Sequence, residues 1–147
     1  MLDAAFDQLP CGQSLDDTVA VLKQDLPTLF QQDLDYSIYA SNIVFQDPLS
    51  QFSGKFAYRL IFWTLRFHAA LFFKEIYFDL HNIRPDEVDT ICAEWTVRGV
   101  LRLPWHRAVC FHGYSVYRLN KEGLICEHVD IWDRPPVQIL NQMLLGT

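Results

Sequence analysis

Thr90 to Leu119 reads TICAEWTVRGVLRLPWHRAVCFHGYSVYRL, the longest β-signal in the chain. From Ile91 to Gly99 the residues alternate. Ile91, Ala93, Trp95 and Val97 share one face; Cys92, Glu94, Thr96 and Arg98 share the other. A period of two with β-branched and aromatic residues predicts a half-buried strand. The run Ala108–Leu119 is rich in Val, Phe and Tyr and carries apolar residues on both faces. Pro104, between the two, has no N–H to give a ladder, so it marks an edge, a bulge or the bend itself. Asn120-Lys121-Glu122-Gly123 is a turn signal, and Leu124–Trp132 reads as the next strand. An antiparallel meander follows. One face of it must be covered, and only the N-terminal half can supply the cover.

That half reads as helices with a short strand between them. Ser14 is a candidate N-cap, with Asp16 and Asp17 in the first turn where the helix dipole favours anions. Val19, Leu22, Leu26, Leu29 and Phe30 then recur at helical spacing to about Gln32, with a kink or break at Asp25–Pro27. Ile43–Gln46 alternates and ends at Asp47-Pro48, and Gly54 stands near the start of a second helix, Lys55 to about Phe73. At 100° per residue, Lys55, Arg59 and Arg66 fall on one side and Ala57, Leu60, Thr64, Phe67 and Leu71 on the other. The apolar set is expected to face the sheet and the basic set to face water or a partner. Lys74–Ile83 alternates as a further strand, ending at Arg84-Pro85-Asp86. Pro135-Pro136 opens a short amphipathic tail with Val137, Leu140 and Leu144. The layout is α+β. Residues 1–13 read as a lead-in, 14–134 as one domain and 135–147 as a helical tail.

A chain of 147 residues buries about 68–70% of its unfolded surface, enough for a core without staples. A formal charge of −6 disfavours non-specific binding to nucleic acid. Cys11, Cys92, Cys110 and Cys126 show no C-x-x-C pair and no metal spacing, so they are expected as buried, reduced thiols. The start lacks a basic n-region and an apolar h-region, so no signal peptide is read and a cytoplasmic place is expected. Phe56–Phe73 is very apolar, but Arg59, Arg66 and His68 interrupt it. At about 2.5–3.5 kcal/mol per central Arg, a spanning helix is disfavoured.

Tyr39 to Pro48 spells Y-x-x-N-x-x-F-x-D-P, and with this element order the chain resembles the nuclear transport factor 2-like superfamily. The resemblance covers about residues 14–134. It implies a cone: a curved antiparallel sheet of four to five strands wrapped around N-terminal helices, with a central cavity. Ala40–Gly54, Leu65-Arg66-Phe67-His68, W-T-V-R-G-x-x-R-x-P-W at Trp95–Trp105 and Glu127-His128-Val129-Asp130 resemble, more narrowly, one family of that superfamily with no assigned activity. That family is seen in cyanobacteria and in plant and animal organelle proteins. The superfamily holds ketosteroid isomerase, scytalone dehydratase, polyketide cyclases and non-catalytic binding modules, so fold alone does not choose a function. Resemblance to the isomerases implies Asp47, in the D-P turn, as a general base inside apolar walls. It also implies two proton donors, a Tyr from the first helix and a protonated Asp on a late strand. Ser115 occupies the place of that Asp, and no Tyr lies between Ser14 and Gln32. Steroid isomerase activity is therefore not expected. Asp47 also has a plainer role, since Asp before Pro bonds its own backbone and stabilises the bend.

His128 and Asp130 sit two apart on one strand and share a face with Trp132, so they form a candidate base with an orienting acid. Standing about 6.5 Å apart, they are expected to meet through water or a ligand rather than directly. Tyr39, Phe45, Trp63, Trp95, Trp105 and Trp132 are candidate pocket walls. Arg98, beside Gly99 and Arg102, is a candidate basic rim for a carboxylate or phosphate. His106, His112 and His128 lie on runs that pair, yet no H-x-H or H-E-x-x-H spacing supports a metal. No Gly-rich phosphate loop, no cofactor motif and no nucleophile signature is present. The leading expectation is a pocket that binds a small apolar or ring-containing molecule. The rivals are a lyase, isomerase or cyclase using Asp47 or His128 with Asp130, and a module that dimerises through the outer face of the sheet, Val129 and Ile131 included.

Overall fold

The computed structural model describes residues 14–102 and 107–145. Helix α1 (Leu15–Asp25) begins at Ser14, whose Oγ accepts the Asp17 N–H at 3.2 Å. It stops where Pro27 forces a 3-10 turn, Leu26–Thr28, which is shorter than the run to Gln32 that periodicity alone gives. The chain continues through β1 (Tyr39–Gln46), β2 (Gln51–Ser53), α2 (Lys55–Phe72), β3 (Phe73–Pro85), β4 (Thr90–Leu101), β5 (Ala108–Leu119), β6 (Ile125–Trp132) and α3 (Pro136–Leu145). Asn120 and Gly123 make the β5–β6 turn as expected. Asn120 Oδ1 accepts from the Glu122 and Leu124 N–H groups, and Gly123 takes φ +80°. Pro104 lies outside the described residues. On either side of it, the Leu101 N–H donates to the Arg107 carbonyl at 2.9 Å.

One curved sheet carries the strands in the order β2-β1-β6-β5-β4-β3. The meander β3 to β6 is antiparallel, and β1 joins β6 in parallel, Phe45 beside His128. The nuclear transport factor 2-like cone is thus present, with six strands. Ile91, Ala93, Trp95 and Val97 face inward and are buried. So do Ser115 and Tyr117 on β5. They close on α1, the 3-10 turn and α2 in a single apolar core.

Helix α2 presents the opposite face from the one expected. Tyr58, Phe62 and Ala69 are its buried residues, while Leu60, Phe67 and Leu71 stand in solvent. The helix is apolar nearly all round, so its periodicity does not identify which side meets the sheet. Packing does. Tyr58 and Phe62 fill the space against β1 and β6, and Tyr58 alone contacts the rings of Tyr39, Phe45, Phe62 and His128. The basic set is also less free than expected. Arg66 pairs with Asp33 at 3.1 Å, and the Arg59 guanidinium lies 5.0 Å from the Tyr36 ring centre.

The thiols differ as well. Cys110 is exposed and Cys92 and Cys126 are half-buried, and all three are free thiols. Cys92 and Cys110 fall on the outward parity of their strands, and Cys126 sits at the irregularity where the β5–β6 register shifts, between Ile125 and Glu127. Cys11 lies outside the described residues. Glycine is required at Gly113, where a Cβ would sit 2.6 Å from both the Ile131 carbonyl oxygen and the Trp95 ring. Neither can yield cheaply, since one is sheet backbone and the other a buried indole. Gly113→Ala is expected to cost roughly 1–3 kcal/mol, read as a lower urea midpoint at unchanged slope. An unchanged midpoint would show that the sheet relaxes there.

Candidate functional site

The cone encloses a cavity of about 310 Å³ between the helices and the inner face of the sheet. Its walls are hydrocarbon over most of their area. Leu26, Leu29 and Phe30 come from the first helical segment, Ile61, Phe62 and Leu65 from α2, and Phe78, Trp95, Val97, Phe111 and Trp132 from the sheet. The polar groups gather on β5, β6 and the end of β1: Ser115, His128, Asp130 and Asp47. Strand parity places them. Ser115 opposes Asp130 and Tyr117 opposes His128 across β5 and β6, all pointing inward.

These groups form a chain of hydrogen bonds that ends on Asp130. The Trp95 indole N–H donates to Ser115 Oγ at 2.9 Å, and Ser115 Oγ–H donates to Asp130 Oδ1 at 2.5 Å. His128 Nε2 lies 2.6 Å from the same Oδ1, and His128 Nδ1 lies 2.8 Å from the Tyr58 hydroxyl. With Asp130 as a carboxylate, His128 carries its proton on Nε2. Nδ1 then accepts from Tyr58, which fixes the tautomer. Every proton in the chain points toward Asp130, and the bonds to charged oxygen are short, as charge-assisted bonds are. No described residue hydrogen-bonds Asp130 Oδ2. The imidazole itself is buried, stacked on Tyr117 with ring centres 4.3 Å apart.

His128 and Asp130 therefore meet directly, not through water or a ligand. Strand twist and the length of the imidazole close a gap that the backbone spacing leaves open. Two participants escaped the sequence reading, Tyr58 and Tyr117. Parity with Ser115 was a signal for Tyr117. For Tyr58 the i, i+4 spacing to Phe62 was a signal once the inward side of α2 is known.

Asp47 lines the cavity, and its Oδ1 is engaged in its own turn, accepting the Leu49 and Ser50 N–H groups, each at 2.8 Å. Phe45, Trp95, Ser115 and Trp132 line the cavity. Three other expected wall or rim residues do not. Tyr39 is buried behind Tyr58. Its hydroxyl is near enough to that of Tyr58 to oppose slightly the rise that burial gives its pKa, yet makes no well-aligned hydrogen bond. Trp63 is 55% exposed on the far side of α2, because the helix is turned the other way. Arg98 stands on the outer face of the sheet, its Nε donating to Asp79 Oδ2 at 2.6 Å and its guanidinium 4.3 Å from the Tyr77 ring centre. Outward parity puts it there, so it is not a cavity rim. Trp105 and His106 lie outside the described residues. His112 and His128 are on opposite faces of the sheet. His112 Nδ1 bonds Thr96 Oγ1 at 2.6 Å on the outside, so the two imidazoles do not approach. Among the described residues no group of three metal-ligating side chains occurs, and no helix is long and apolar enough to cross a membrane.

Residues 16–128 match the profile of a family described as "Uncharacterized conserved protein (DUF2358)". The chain belongs to that family. Among curated proteins, the chain is similar to "Uncharacterized protein C6orf136 homolog" of Macaca mulatta, 30% identical over 123 residues, covering 73% of this chain and 70% of that protein. The homolog of Bos taurus is 29% identical over 140 residues, 81% of this chain but 44% of that protein, so the chain spans less than half its length. Among solved structures, an NTF2-like protein from Anabaena variabilis aligns with TM-score 0.60 at 14% identity, over 83% of this chain and 93% of that one. The epoxide hydrolase/cyclase-like enzyme SalBIII, of pyran ring formation in the polyether salinomycin, aligns with TM-score 0.62 at 15% identity, over 82% and 94%. At such identities the likeness shows the fold, and the NTF2-like cone of this DUF2358 member is thereby shown.

Proposed function

We propose that the protein binds a small apolar, ring-containing molecule in the cone, with one hydrogen-bond donor of that molecule directed at Asp130. The carrying observation is the cavity of about 310 Å³ with aromatic walls and its polar groups gathered at one side. That volume is at the lower end of the range for small-molecule sites, and the ratio of wall to polar group is typical of them. Asp130 Oδ2 is the acceptor left over after Oδ1 has taken the Ser115 and His128 protons.

The reading is tested with 2-naphthol, a two-ring hydrocarbon with one hydroxyl, by titration calorimetry. Saturable binding to the parent is expected. In Val97→Phe, which fills the cavity from β4, affinity is expected to fall roughly tenfold or more while cooperative unfolding is kept. Absence of saturable binding, or equal affinity in both proteins, would overturn the proposal. A second reading rests on the direct His128–Asp130 pair, which is the geometry of a base with an orienting partner. In this reading a bound ring compound loses a proton to the pair, and turnover is lost in Asp130→Asn but kept in Asp47→Asn, whose carboxylate serves its turn. Self-association through the outer sheet face, where Tyr114 and Ile131 are exposed, is compatible with either reading.

A further inference from the structure

Helix α2 has two apolar faces, and the cone uses only one. Phe56, Leu60, Trp63, Phe67 and Leu71 repeat at helical spacing along its far side and are 49–81% exposed. Trp63 and Phe67 stack on each other, ring planes 10° apart, rather than on any part of the core. A helix apolar all round is ordinarily buried all round. This one leaves a stripe about 22 Å long in solvent, at 1.5 Å per residue from Phe56 to Leu71.

We propose that this stripe seats the protein on the surface of an anionic phospholipid bilayer. Charge is the first argument. The chain carries −6 overall, yet α2 contains no Asp or Glu and three cations, Lys55, Arg59 and Arg66. All three fall on one flank of the stripe. Asp33 takes up Arg66, and Asp35 acts on Lys55, but Arg59 has no carboxylate partner among the described residues. A groove of about 370 Å³ lies where the flank meets the stripe, lined by Phe56, Arg59, Leu60, Trp63, Arg66 and Asp33. It places a cation within the same recess as exposed aromatic carbon, which suits a phosphate headgroup above acyl chain. Shape is the second argument. The stripe is the convex side of a single helix, with Trp, Phe and Leu above basic residues, the composition of helices that lie in a membrane interface. A bilayer needs no matching groove. Size is the third argument. Five half-exposed side chains supply about 500 Å², short of the roughly 800 Å² per partner that a stable protein pair buries. Antiparallel pairing with a second copy would also bring basic flank against basic flank.

The test is flotation of the full chain with vesicles of phosphatidylcholine alone, and of phosphatidylcholine with phosphatidylserine in roughly 7:3 ratio. Binding to the anionic vesicles is expected, weakened roughly tenfold on raising the salt several-fold. Trp63→Gln with Phe67→Gln is expected to reduce binding at least roughly tenfold. Both residues are exposed, so cooperative unfolding is expected to stay intact and to show that the variant is folded. Tyr114→Gln, a comparably exposed aromatic on the outer sheet face, is expected to float like the parent. No flotation, or equal flotation of the double variant, overturns the proposal. So does a stable dimer in sedimentation velocity that the double variant converts to monomer, because a second copy then covers the stripe.

Discussion

Tyr58→Ala is expected to destabilise the protein by about 3–5 kcal/mol, the range for losing a large buried ring. Tyr58 is 1% exposed and is the point where α2 meets the sheet. Its ring packs on Tyr39 at 4.7 Å and Phe62 at 4.9 Å between centres, so truncation opens a void where helix, β1 and β6 converge. The hydroxyl contributes separately. Tyr58→Phe keeps the packing but leaves the buried His128 Nδ1 without its donor, at a cost of about 1–3 kcal/mol. Urea unfolding of the two variants separates the contributions. Equal losses in both would mean that the ring itself adds nothing, contrary to the packing.

Alkaline pH is expected to unfold the protein steeply. Tyr39, Tyr58 and Tyr117 are fully buried, and burial is the main cause that raises each of their pKa values above the ordinary 10.0. In the unfolded chain the same phenols ionise near pH 10. Above that pH the folded state holds more protons than the unfolded one, so stability falls as pH rises. The stability is fully present below about pH 10 and is lost through the interval up to the raised folded values. The slope is about 1.4 kcal/mol per pH unit for each tyrosine, or about 4 kcal/mol for the three together. Tyr36, half-buried beside Asp33 and raised to about 12, adds in the same direction. Tyrosinate absorbance and circular dichroism, followed together, check this. Three of the six tyrosines are expected to ionise only as the ellipticity collapses. Ionisation of all six near pH 10 with native ellipticity kept would show that water reaches the cluster.

Strand parity was legible because it is local. A residue on β4 or β5 points in or out according to the period of two, whatever the rest of the chain does. Ser115, His128, Asp130, Trp95 and Trp132 therefore reach the cavity as their positions suggest. Arg98, Cys92 and Cys110 follow the same rule, and their outward parity was readable. The error lay in giving one a cavity role and the others a buried one. The α2 face was different in kind. Tyr58, Phe62 and Ala69 compete with Leu60, Phe67 and Leu71 for the core, and both sets satisfy a helical period.

By itself, then, and apart from the short strand β2 and the parallel pairing of β1 with β6, the sequence determined the order of the main elements and the inward rows of the meander. Each depends on alternation, capping or a turn residue acting within a few positions. Tertiary structure alone decided which side of α2 is inside, and that choice brings Tyr58 to His128 and turns Trp63 outward. It also decided that His128 and Asp130 touch, because strand twist and the packing of Tyr117 on the imidazole set a contact that backbone spacing leaves open. The physical reason is common to both cases: apolar contact is non-directional, so competing faces are separated only by how well each fills the space that the other strands leave.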